Sequence, residues 1–281
     1  MQAAEKKDLH AWANFLGQAD IPVLAETGRL LADLHENDDD LSSRQVARVV
    51  LKDPLMTAKL LRFLQQHKPK NQRAEIALVE QAILMLGIEP FYRNVQPQPT
   101  VESLLENQPE ALAHLMQVVG RAHRAADYAI HWAARLNDLH FDEVYVAALL
   151  HDLAETLLWC FAPADMLRIR HDQIQDKTLR SRAAQEQVLG FPLADLQLLL
   201  AQQWSLPQLL LNLMEDAQAQ NSRVRNVELA VNLARHSSNG WNDAALPDDY
   251  RDIGALLHLS VDKVMELVCP PGTTRDGNPA R

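Results

Sequence analysis

Apolar residues in this chain recur every three or four positions, the spacing that gathers them on one face of a helix. A short first helix runs from Asp8 to Leu16 and ends at Gly17. Asp20-Ile21-Pro22 opens a second, whose stripe is Val23, Leu24, Leu30, Leu31 and Leu34. The acidic run Glu36 to Asp40, broken only by Asn37, reads as a solvated loop. Ser42-Ser43-Arg44-Gln45 is a capping box: a hydroxyl accepts from a free backbone N–H and the glutamine reaches back. The helix it opens carries Val46, Val49 and Val50 and stops at Asp53-Pro54. Pro54 restarts helix in a first turn, where its missing N–H costs nothing. Leu60, Leu61 and Leu64 then face inward, and Glu80 to Leu86 forms a further helix ended by Gly87.

The prolines of Val95-Gln96-Pro97-Gln98-Pro99 cannot continue a helix, so a boundary is expected within 94–109. Beyond it the pattern predicts helices over 110–137, 141–160, 163–175, 180–189, 193–203, 207–219, 223–238 and 249–267. The expected organisation is an N-terminal helical lobe (1–105), a helical core (106–240), and a C-terminal helix with a disordered tail (241–281). Composition agrees with helix throughout. The chain holds 46 leucines and 37 alanines in 281 residues, against 5 % aromatics, and leucine and alanine favour helix over strand. The fold class read from this is all-α.

Charge and cysteine content narrow the function. The balance of 27 basic against 37 acidic residues, net −10, disfavours a nucleic-acid surface, whose affinity draws on lysine and arginine neutralising phosphates. Cys160 and Cys269 are too few for a disulfide framework or a cysteine-based zinc site. The opening residues MQAAEKKDLH lack the apolar core of a secretory signal. No apolar stretch is read as approaching the ~20 residues that span a bilayer. The expected setting is the cytoplasm, without membrane contact.

Chemistry concentrates in a few of the eleven histidines. His123 stands in Gly120-Arg121-Ala122-His123-Arg124, and an adjacent dyad, His151-Asp152, follows Ala148-Leu149-Leu150. The two lie 151 − 123 = 28 positions apart, each within a helical pattern, so an antiparallel helix pair would let His123 face His151. A carboxylate on an apolar helix is costly unless partnered. Asp127 lies four residues from both His123 and His131 on one face and reads as an i,i+4 network. Arg168, Arg170, His171, Lys177, Arg180 and Arg182 read as a solvated face, and the five tryptophans, spread along the chain, as packing anchors.

His123 followed at this distance by Ala147-Ala148-Leu149-Leu150-His151-Asp152-Leu153-Ala154 resembles the HD superfamily. Ile21-Pro22-Val23-Leu24, Asp53-Pro54-Leu55-Met56, Glu80 to Ile88, Gly190-Phe191-Pro192 and Gln203-Trp204-Ser205-Leu206-Pro207 narrow the resemblance to its HDOD branch. That branch comprises the HD-related output domains of bacterial signalling proteins. The resemblance implies a multi-helical core with an N-terminal helical lobe. In catalytic relatives it implies divalent metal held by a histidine, a His-Asp pair and a later aspartate. His123, His151 and Asp152 take the first three places, but Arg235 stands at the last, and a guanidinium repels a cation rather than binding it. Ala154-Glu155 also replaces the Gly-Lys or Gly-Arg common after the dyad. The resemblance thus implies a degenerate site: no metal, no cofactor, and His123, His151 and Asp152 kept as a hydrogen-bonded polar cluster. The function implied is that of a pseudo-enzyme regulator binding a protein partner in a signalling pathway or a small anionic ligand. The alternative is a divalent-metal phosphohydrolase acting on a nucleotide or phosphomonoester.

Overall fold

Helix starts in this chain are fixed by side chains that take up free backbone N–H groups. The computed structural model describes residues 8–37, 41–67, 79–206, 208–212 and 221–269. The end of the acidic run, residues 213–219 of the expected 207–219 helix and the tail from 270 lie outside these. Asp8 accepts the N–H groups of His10 and Ala11 and opens α1 (Leu9–Gln18). After α2 (Ala25–Asn37), Ser42 and Gln45 close the reciprocal capping box that starts α3 (Ser43–Val50). Asp53 caps α4 (Pro54–Gln66): its Oδ1 accepts from Leu55 and Met56 at 2.9 and 3.1 Å, while Oδ2 accepts from Leu24 at 2.8 Å.

The chain continues through α5 (Val79–Leu86), α6 (Ile88–Asn94), α7 (Val101–Leu104) and the long α8 (Pro109–Arg135). There follow α9 (Phe141–Leu149), α10 (Leu153–Phe161), α11 (Pro163–Gln175), α12 (Ser181–Leu189) and α13 (Leu193–Gln203). The last are α14 (Gln208–Asn212), α15 (Ser222–His236), α16 (Leu246–Leu257) and α17 (Val261–Val268). Among the described residues the only extended pairing is an isolated bridge between Val23 and Thr100, so the fold is all-α.

Two of the expected helices are each broken in two. The 141–160 stretch divides into α9 and α10 at the His-Asp dyad. The 249–267 stretch divides into α16 and α17 at His258, which adopts left-handed φ 56° and ψ 43°. Ser260 then caps α17 by accepting the Lys263 N–H. Neither break carries the glycine or proline that ordinarily announces one.

Contacts group the chain into two compact units, Met1–Val119 with Asp152–Leu211, and Gly120–His151 with Asn212–Arg281. In the first, α3 packs on α2 and α5, and α10 packs on α4, α11 and α13, around Leu16, Leu55, Met56, Ile83 and Leu157. Lys59, 8 % exposed, is held there by Asp20 at 2.7 Å and by the Ile21 carbonyl at 3.1 Å. In the second, α15 packs on α9 and α16, and α16 on α17, around Leu149, Val227, Leu233, Ile253 and Val264.

The expectation that no apolar run reaches bilayer length is corrected. Phe141–Phe161 is 21 residues long and apolar enough to cross a membrane. It is, however, interrupted at residues 150–152, and 72 % of its apolar window is buried within the protein, which makes it a core element.

Candidate functional site

The dyad occupies a junction rather than a helix interior. The Leu150 N–H bonds to the Val146 carbonyl at 3.0 Å, but that of His151 reaches only Ala148, at 3.4 Å. The ladder thus tightens by one residue and ends. It resumes where Thr156 donates to the Asp152 carbonyl from its N–H at 3.0 Å and its hydroxyl at 2.9 Å. Asp152 sits at the N-cap of α10 with φ −100° and ψ 29°, and its carboxylate makes no capping bond. The free N–H of Ala154 donates instead to Gln197 Oε1 of α13 at 2.7 Å. Because the break falls here, His151 and Asp152 are only half-buried, so the carboxylate escapes the full desolvation cost of a core position.

His123 lies within α8, half-buried, as the pattern predicts. Its Nε2 is buried with no hydrogen-bond partner, so the ring is not fully tied into the polar cluster expected of it. Arg235 lies exposed in the last turn of α15. A cation there complements the negative end of the helix dipole, which gives the arginine a structural reason of its own. The next residue, His236, contacts Asp249 of α16, Nδ1 to Oδ2 at 2.6 Å. Burial raises the Asp249 carboxyl above its ordinary value, opposed by the His236 hydrogen bond.

A divalent ion demands several hard or borderline donors converging on one point. Among the described residues no group of three or more histidine, cysteine, aspartate or glutamate side chains does so. No such donor set is assembled among the described residues, although His123 Nε2 by itself is a nitrogen left over. Other sequence candidates resolve into structure. Burial pushes the Cys160 thiol well above its ordinary range, which makes it inert. Arg168 and Arg182 pair one turn along with Asp172 and Glu186, at 3.9 and 3.0 Å. Trp12, Trp132, Trp159 and Trp204 are buried, as packing anchors should be.

Sequence reasoning passed over two residues. Gln197, 3 % exposed, is the only polar residue in Leu196-Gln197-Leu198-Leu199-Leu200, an isolation that could have marked it. Asn226, 1 % exposed, donates from Nδ2 to the Ala129 carbonyl at 3.0 Å and ties α15 to α8. Its Oδ1 is buried without a partner.

The order of helices, the Asp53-Pro54 cap and the His-Asp junction define an all-α domain of one recognisable class. Residues 21–220 match the HDOD domain, and the chain belongs to the HDOD family. Among solved structures it is similar to the MmoQ response regulator of Methylococcus capsulatus. That likeness covers 90 % of this chain and 100 % of the other at 16 % identity, with a TM-score of 0.67. It is also similar to a virulence factor of Campylobacter jejuni, over 92 % of this chain and 91 % of that one, at 18 % identity and TM-score 0.65. At such identities the likeness is one of fold. No curated protein matches the chain.

Proposed function

We propose that this chain is a non-catalytic HDOD domain that acts in bacterial signal transduction, in the cytoplasm, by binding a protein partner or a small anionic ligand. Family membership supports a regulatory role, and one of the proteins sharing the fold is described as a response regulator.

The observation that carries the non-catalytic half of the reading is the donor set. His123, His151 and Asp152 keep the places that the superfamily resemblance assigns to ligands, but an exposed arginine stands at the fourth. No three donors converge among the described residues. Hydrolysis by a metal-activated water needs an ion held in fixed geometry with an open position, and this constellation does not supply the ligands for one. Binding requires only a shaped surface, and Arg235 stands exposed at the C-terminal end of α15.

The test is metal analysis of the purified protein after incubation with Mn²⁺, Mg²⁺ or Ni²⁺, alongside hydrolysis assays on nucleotides and phosphomonoesters. The expected result is substoichiometric metal and no turnover. Stoichiometric metal with turnover abolished by Asp152→Ala would establish the phosphohydrolase instead.

A further inference from the structure

The basic stretch at the α11–α12 turn carries more positive charge than its own acids take up. Arg168 and Arg182 are paired with Asp172 and Glu186 along their own helices. Arg170, Lys177 and Arg180 are exposed, and their side chains make no ion pair or hydrogen bond among the described residues. Of the remaining carboxylates, Asp176 stands in the turn and spends Oδ1 on the N–H and hydroxyl of Thr178, at 2.8 and 2.6 Å. Asp165 lies in the first turn of α11, 174 − 165 = 9 positions before Ile174 and so roughly 13 Å away along the axis. Around the turn, three cations without an ion pair stand against one carboxylate.

Ile174, in the last turn of α11, is 65 % exposed among them. Arg170 precedes it by four residues on the same helix face. Gln173 draws the start of α12 against this end of α11, its Nε2 donating to the Leu179 carbonyl at 3.5 Å and to the Ser181 hydroxyl at 3.1 Å. Lys177 suits the negative end of α11, but Arg180 does the reverse. It is the N-cap of α12, makes no capping bond, and is followed by Arg182 in a first turn that holds no acid. Positive charge at the positive end of a helix is unfavourable, so α12 gains nothing from an arginine there.

We infer that the α11–α12 turn is a docking surface for an acidic segment of another protein, with one apolar side chain of that segment seated on Ile174. Carboxylates of the partner meet Arg170, Lys177 and Arg180 and set its register, while the apolar contact removes Ile174 from water. A short acidic segment needs only this local patch. An extended polyanion such as duplex DNA or an anionic bilayer would also meet the rest of a chain whose net charge is −10, which repels it. The inference gives the chemistry of the protein partner in the regulatory reading and rests on that part of it. The metal and turnover measurements test the non-catalytic part separately, so either can fail alone.

The test titrates the full chain into a short labelled peptide of glutamate and aspartate with one central leucine, read by fluorescence anisotropy. The peptide is expected to bind, more weakly as salt rises, and its lysine counterpart is not. Arg170→Glu with Lys177→Glu should weaken binding about tenfold. Ile174→Ser should weaken it too, and neither variant should change the melting temperature, since all three side chains are exposed. Arg180→Asp separates docking from folding: it supplies the missing cap, so the melting temperature rises while binding falls. A peptide that does not bind overturns the inference, as does binding that survives the charge reversals. So does an Arg180→Asp variant that melts below the wild type, because the arginine then serves the fold. Duplex DNA or anionic vesicles that bind in the peptide's place, with the same dependence on these residues, would overturn it in favour of that partner.

Discussion

Gln197 Oε1 accepts the backbone N–H of Ala154 at 2.7 Å, and with that bond a residue of α13 sets the start of α10 immediately after the His-Asp dyad. Both groups are buried. Gln197→Leu conserves volume but leaves the N–H with no acceptor, a loss of about 1–3 kcal/mol. Urea unfolding should show a lower midpoint with an unchanged slope. A midpoint equal to that of the wild type would mean that the break at residues 150–152 is held by something else.

That bond also explains what was legible in the sequence. The capping box at Ser42 and Gln45 and the restart at Asp53-Pro54 are written within four residues, and the structure has both. The dyad's place in the chain was equally plain, because a His-Asp pair in an apolar run has few readings. The helix break at the dyad was not legible, since Leu150-His151-Asp152-Leu153 contains no residue that ordinarily stops a helix. The acceptor that resolves it comes from 43 positions away. His258 is a second case, a left-handed stop without glycine or asparagine. Local punctuation can be read from the chain, whereas breaks sustained by a distant side chain appear only once the helices are packed.

The four tyrosines give the fold a distinct alkaline signature. Burial, with the Glu89 charge adding, pushes Tyr92 up to about 12, and burial with Asp127 does the same for Tyr145. Tyr128 and Tyr250 are also raised, chiefly by burial. A phenol whose folded value lies above its unfolded one contributes stability that is complete below pH 10. That contribution is lost as the pH climbs from there through the folded value. Phenolate absorbance of the native protein should therefore show no step near pH 10, and all four residues should ionise together as the fold is lost. A native-state step at pH 10 would show that at least one ring is solvated.

Two glycines within helices should respond to the same substitution with opposite sign. A Cβ added at Gly120, within α8, meets nothing within 4 Å. Gly120→Ala should therefore stabilise by about 0.5–1 kcal/mol through the lower entropy of the unfolded chain. A Cβ at Gly254, in α16, would lie 2.8 Å from the Leu259 carbonyl oxygen. That carbonyl belongs to the turn that ends α16, where the Leu259 N–H bonds back to the Gly254 carbonyl at 2.9 Å. The obstructing atom is backbone, so it cannot swing aside as a side chain would, and α16 and α17 would have to part to admit the methyl. Gly254→Ala should cost roughly 1–3 kcal/mol, as overpacked sites do, although alanine is the better helix former. Thermal unfolding of the two variants beside the wild type decides the matter. If Gly254→Ala melts at or above the wild-type temperature, the close approach of the Leu259 carbonyl does not hold the turn between α16 and α17.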